Sequence, residues 1–149
     1  MPINWKRWLR WLWWRNRNRN PSGEAKVLAL IGSLVALDQV SKYLLGTADW
    51  AWHNQGAAWT AQSLATTALV GLLLLTERFR LAAAFLVAGG LGNLLSELSQ
   101  NTIANPFQTQ MGDTFVAFNA ADVMLLTGMA LGVIATVTVA HSILKEQPA

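Results

Sequence analysis

At 149 residues the chain is one domain long; 53% of it is apolar, 13% is charged, and the formal net charge is +3. The charges gather outside a few long apolar runs, the pattern of a polytopic membrane protein and not of a soluble globule. No cysteine is present, which excludes a disulfide framework, a thiolate metal site and lipid attachment to a cysteine of this chain.

The first 20 residues hold Lys6, Arg7, Arg10, Arg15, Arg17 and Arg19 and no acid. On a helical wheel Trp5, Trp8, Leu9, Leu12 and Trp13 fall on one side, with Lys6, Arg7 and Arg10 on the other. This predicts an amphipathic helix lying in the membrane interface, where each cation near an anionic leaflet contributes about 1 kcal/mol. The same surface also suits a docking partner. The Arg-Asn repeat at 15–20 is read as facing lipid, with no nucleic acid bound. Asn20-Pro21-Ser22-Gly23 reads as a linker, so that 1–25 forms an arm and 26–145 a membrane domain. Asp38 and Lys42 in the first span, and the lack of a small-x-small cleavage site, argue against a removable signal peptide.

Four apolar segments approach the roughly 20 residues needed to cross about 30 Å of hydrocarbon. They are Lys26–Leu45, Trp59–Thr76, Leu81–Leu95 and Ala120–Ile143. The third is the shortest, and its Ala82-Ala83-Ala84 and Gly89-Gly90 suit close helix contact, which places it inside the bundle. Arg78 and Arg80 between spans two and three, Lys145 in the tail and the basic arm all lie on one side of a four-span protein. The positive-inside rule makes that side cytoplasmic, with both termini there and segments 46–58 and 96–119 outside. The expected fold is thus an all-α four-transmembrane-helix bundle with a small outward-facing polar or β-rich cap and an N-terminal interfacial helix.

Polar groups within spans are costly and commonly functional. Asp38 and Lys42, one turn apart, read either as a self-neutralising ion pair or as a functional group in which Asp38 orders a polar site or grips substrate backbone. Asn54-Gln55-Gly56-Ala57-Ala58-Trp59 permits close backbone approach at Gly56 and amide bonding by Asn54, and equally fits a plain loop and cap. Asn93, Ser96, Asn119 and Asp122 come out on the same face as Asp38, which makes a candidate site; Asn119 also suits an N-cap, with Asp122 favoured at the positive helix end. No ligand spacing specifies a metal or cofactor.

Taken in order, Asp38-Gln39-Val40-Ser41-Lys42, Asn54-x-Gly56-Ala57-Ala58-Trp59, Gly89-Gly90-Leu91-Gly92-Asn93 and Phe118-Asn119-Ala120-Ala121-Asp122 resemble the successive blocks of signal peptidase II, over about residues 26–143. The resemblance implies an integral-membrane aspartyl endopeptidase that cuts prolipoproteins before the lipid-modified cysteine, one carboxylate activating water while a second, protonated, polarises the scissile carbonyl. Asp122 matches one aspartate. The other is read as replaced by Ser96, the arginine beside it by Glu97, and Thr102-Ile103-Ala104-Asn105-Pro106-Phe107 carries Asn105 where an acid is usual. A serine neither holds a negative charge at neutral pH nor relays a proton as a carboxyl does. Acid–base assistance is worth about 10²–10⁴-fold, so hydrolysis is expected to be crippled.

The expected function is therefore a signal-peptidase-II-like pseudoprotease with catalytic positions Asp122 and Ser96. It would use Asp38, Lys42, Asn54, Gly56, Asn93 and Asn119 to bind a lipoprotein signal helix or the transmembrane helices of a larger complex, with membrane lipids around it. The alternative is an active lipoprotein signal peptidase with an unconventional partner for Asp122. Glu97 is read as projecting about 100° away from Ser96 round the helix. A serine mechanism through Ser96, His53 and Asp122 has no support in spacing.

Overall fold

The computed structural model describes residues 21–54, 65, 67, 70, 71 and 77–145. Three long helices are present among them. Helix α1 runs Pro21–Leu45, α2 Arg80–Gln100 and α3 Ala120–Lys145, with a short 3₁₀ turn, Glu77–Phe79, leading into α2. Each, α2 together with its 3₁₀ turn, provides a stretch long and apolar enough to span a membrane: Gly23–Leu45, Glu77–Gln100 and Ala120–Ser142. The basic arm at 1–20 lies outside the described residues, as does most of the expected span Trp59–Thr76. Of that span Ala65, Thr67, Val70 and Gly71 are described and helical.

Two boundaries differ from the sequence reading. Pro21, Ser22 and Gly23, expected as a linker, are already helical, because proline is tolerated in a first turn where its missing N–H has no partner anyway. Helix α2 runs five residues beyond Leu95 to Gln100. Its last turn is polar, and there Ser96 and Ser99 return their hydroxyls to the carbonyls of Gly92 (3.0 Å) and Leu95 (2.7 Å). Asn101 stops the helix in the left-handed region at φ 54°, its N–H bonded to Glu97 O, a conformation asparagine tolerates better than most residues.

Helix α2 is the centre of the bundle: 56% of its span is buried, against 11% for α1 and for α3. Small side chains are the cause. Ala83, Ala84 and Ala88 are fully buried, with Gly89, Gly90 and Gly92 beside them. A Cβ on Gly128 of α3 would stand 2.7 Å from Leu86 Cγ and 3.0 Å from Ala82 O, and one on Gly89 would meet Ala121 O and Leu125. Such contacts bring α2 and α3 together antiparallel, by the small-residue packing that replaces the hydrophobic effect in lipid. Helix α1 runs parallel to α2: Gly23 approaches Arg80 near one end, and Lys42 bonds Asn93 towards the other.

Four short strands cluster where α1 and α2 end and α3 begins. β1 (Trp52–Asn54) pairs antiparallel with β2 (Ile103–Asn105), in the register Trp52↔Asn105, His53↔Ala104 and Asn54↔Ile103. β3 (Phe107–Met111) and β4 (Thr114–Phe118) form a hairpin turning at Gly112, which has φ 61°. Trp50 Nε1 donates to Pro106 O (3.2 Å), and Gln108 Nε2 donates to Trp50 O, so the segment after α1 is tied to the one after α2. A Cβ on Gly46 would collide with the Lys42 carbonyl and with Ala104. β1 thus stands at one end of α2 and Glu77 at the other.

Candidate active site

The site grows out of three helix ends. Asp38, fully buried on α1, accepts from Lys42 Nζ (2.8 Å) and Gln39 Nε2 (3.0 Å) at Oδ2, and from the backbone N–H of Ala121 (2.9 Å) at Oδ1. The last bond satisfies an orphan donor in the first turn of α3, where the helix dipole also favours an anion. Lys42 Nζ, itself buried, donates on to Asn93 Oδ1 (2.8 Å). Asn93 Nδ2 then donates to Asp122 Oδ1 (3.1 Å). A continuous polar relay therefore runs from α1 through α2 to α3.

Asp122 and Asn119 cap α3 reciprocally. Asn119 Oδ1 accepts from the Asp122 N–H (3.0 Å), and Asp122 Oδ2 accepts from the Asn119 N–H (3.1 Å), the geometry of a capping box. The cap reading and the site reading of these two residues thus describe one arrangement. Asn119 is fully buried, and its Nδ2 donates to Oδ1 of Asn105 (2.8 Å), a buried residue on β2. Asp122 remains half-buried.

Ser96 is buried on α2 but turned elsewhere. Its hydroxyl donates to Gly92 O (3.0 Å) and accepts from Gln39 Nε2 (3.3 Å). Besides Asn93 at Asp122, the side chain that meets the cap is Asn105, at Asn119, a position the sequence marks only as a departure from the family pattern. Gln39, which also donates to Gly92 O (2.8 Å), was likewise missed; a polar residue inside an apolar span was the available signal. The N–H of Ala121 has no sequence signature. Asn54 belongs to β1 by its backbone, and Gly56 lies outside the described residues. His53 is exposed on β1 and His141 on α3, and Ser96 Oγ is already engaged by Gly92 and Gln39.

Gly92 makes the cluster possible, since a Cβ there would lie 2.6 Å from Asp38 Oδ2. Among the described residues no three of His, Cys, Asp and Glu converge to hold a metal ion. Chemically the arrangement offers one half-buried carboxylate, Asp122, oriented by the Asn93 amide and the Asn119 backbone N–H, and a second, Asp38, already occupied by an ammonium, an amide and a backbone N–H.

Residues 30–138, more than half of the chain, match the sequence profile of signal peptidase (SPase) II. The chain belongs to the signal peptidase II family. Among curated proteins, it is 25% identical to the lipoprotein signal peptidases of Listeria monocytogenes serotype 4a and Listeria innocua serovar 6a, over 66% of this chain and 84% of each relative. Two solved structures, each described as a bacterial membrane enzyme obtained by the in meso method, share its fold. One, at 2.3 Å resolution, is similar with a TM-score of 0.65 and 23% identity, covering 84% of this chain and 94% of the other. The second, at 1.9 Å, gives 0.62 and 23%, covering 75% and 92%. The polar relay from Asp38 to Asp122 thus stands within the matched span of a signal peptidase II family member that is an integral membrane protein.

Proposed function

We propose that this signal peptidase II family member holds a transmembrane helix at the polar relay without efficiently cutting it, acting as a binding or accessory subunit in a bacterial inner membrane. The observation that carries the reading is the side chain that β2 presents to Asn119 of the cap, which is the amide of Asn105. The two positions where the family resemblance calls for an acid, 96 and 105, hold a serine and an asparagine. Neither can relay a proton as a carboxyl does. Asp38 does not replace them, since releasing it from Lys42 would leave a buried ammonium unpaired.

In this reading the segments 46–58 and 96–119 face outward and both termini are cytoplasmic, following the basic residues at the opposite end of the helices. The test is incubation of the purified protein in nanodiscs with a diacylated prolipoprotein. No cleavage is expected from the wild type, while its signal helix stays bound. Asn105→Asp should restore more cleavage than Ser96→Asp, because residue 105 bonds the cap and residue 96 is turned to Gly92. Robust wild-type turnover overturns the reading.

A second reading, an active lipoprotein signal peptidase, is favoured by the orientation of Asp122, whose two oxygens are held by Asn93 and Asn119 as a working carboxylate would need. Under it Asp122→Asn abolishes turnover in the same assay, and Glu97→Gln does so if Glu97 supplies the second carboxyl.

A further inference from the structure

The polar groups of the relay hold one another, but a neighbouring one is left over. Both carboxylate oxygens of Glu97 are buried and neither has a hydrogen-bond partner. A buried carboxylate without a donor is strongly unfavourable, so it is normally matched by a cation or by several N–H groups. Glu97 stands one turn after Asn93, so the two share a face of α2 with their Cβ atoms about 6 Å apart. A long helical side chain leans back over the preceding turn, here towards Asn93, whose amide bonds Asp122. Glu97 therefore borders the site.

The charge of its surroundings says what is missing. Segments 46–58 and 96–119 contain Asp49, Glu97 and Asp113 and no Lys or Arg, and Asp122 adds a fourth acid at the same end. The cation in the relay, Lys42, is committed to Asp38. The described basic residues Arg78 and Arg80 stand at the other end of α2, and Lys26 lies near the start of α1, about 28 Å along the helix from Leu45.

We propose that Glu97 receives a cation carried by the bound helix, so that the partner is a transmembrane segment with a lysine or arginine near the end that meets the strands. This rests on the helix-holding reading above and names the class of helix held. A glutamate standing where the family resemblance has an arginine reverses the charge offered to the occupant and so its preference. Arginine suits the site well, since its planar fork can satisfy both oxygens at once.

The experiment measures binding of fluorescent Leu/Ala peptides of about 20 residues, each with a single Lys, Gln or Glu near the strand-side end, to the full chain in nanodiscs. The Lys peptide should bind about tenfold or more tighter than the Gln peptide, the size of a charge-assisted hydrogen bond, and the Glu peptide weakest. Glu97→Gln should erase the preference and Glu97→Arg should turn it towards the Glu peptide. Equal binding of Lys and Gln peptides by the wild type, or a preference that survives Glu97→Gln, overturns the proposal alone. Failure of every peptide to bind overturns the helix-holding reading and the proposal with it. Loss of prolipoprotein cleavage in Glu97→Gln, with the peptide preference unchanged, assigns Glu97 to proton transfer and overturns the proposal while leaving the site.

Discussion

At the scale of single residues, Asp38 and Lys42 decide whether the three helices meet. The pair is almost completely buried, and its hydrogen bonds reach Ala121 on α3 and Asn93 on α2. Removing one member leaves the other charged and unpaired, which typically costs about 3–5 kcal/mol, whereas removing both is far less damaging. Asp38→Asn and Lys42→Met should each lower the unfolding midpoint in mixed micelles strongly, and the double variant should recover part of the loss. Strict additivity of the two singles would show that the charges do not act as a pair. The ion-pair reading was legible in the i, i+4 spacing; its bond to Ala121 was not, because no pattern along α1 reports which helix terminus will point at it. Ser96 and Asn105 illustrate the same limit. Sequence blocks marked both as departures, but only the fold shows that the serine closes back on its own helix while the asparagine reaches the cap of α3.

At the scale of elements, the small residues of α2 are the part the sequence reported best. A short apolar run rich in alanine and glycine was expected inside the bundle, and it lies there, because without bulky side chains it offers neighbours its backbone. The strands were harder to place. β1 and β2 are three residues each and pair across some fifty positions of chain, so neither carries enough alternation to announce itself. The end of α2 was misplaced for a different reason: polarity marks the edge of a hydrocarbon layer, not the edge of a helix, and serines that bond their own carbonyls cross it readily. The close approach of α2 and α3 makes a sharp prediction at Gly128. Gly128→Val would drive its branches into Leu86 and the Ala82 carbonyl, at a cost of about 1–3 kcal/mol. A thermal melt in detergent should show that loss, whereas Leu98→Val, at an exposed site, should move it little. Equal melts would mean the helices are not held at this distance.

At the scale of the whole molecule, the described spans alternate in direction only if the chain crosses back between β1 and Glu77. With no native cysteine, single-cysteine labelling can read this directly. A membrane-impermeant maleimide should label Gln110→Cys in intact cells and Glu77→Cys only after permeabilisation, both residues being exposed. Labelling of both from one side would refute α2 as a span, and the reverse pattern would invert the orientation. A last consequence follows from the reciprocal cap on α3. Its carboxylate is a fastener: it closes the first turn of a helix and holds Asn93 in place. A lineage that abandoned peptide cleavage would go on keeping this aspartate for its mechanical service, so its survival in a descendant is no certificate of enzymatic life.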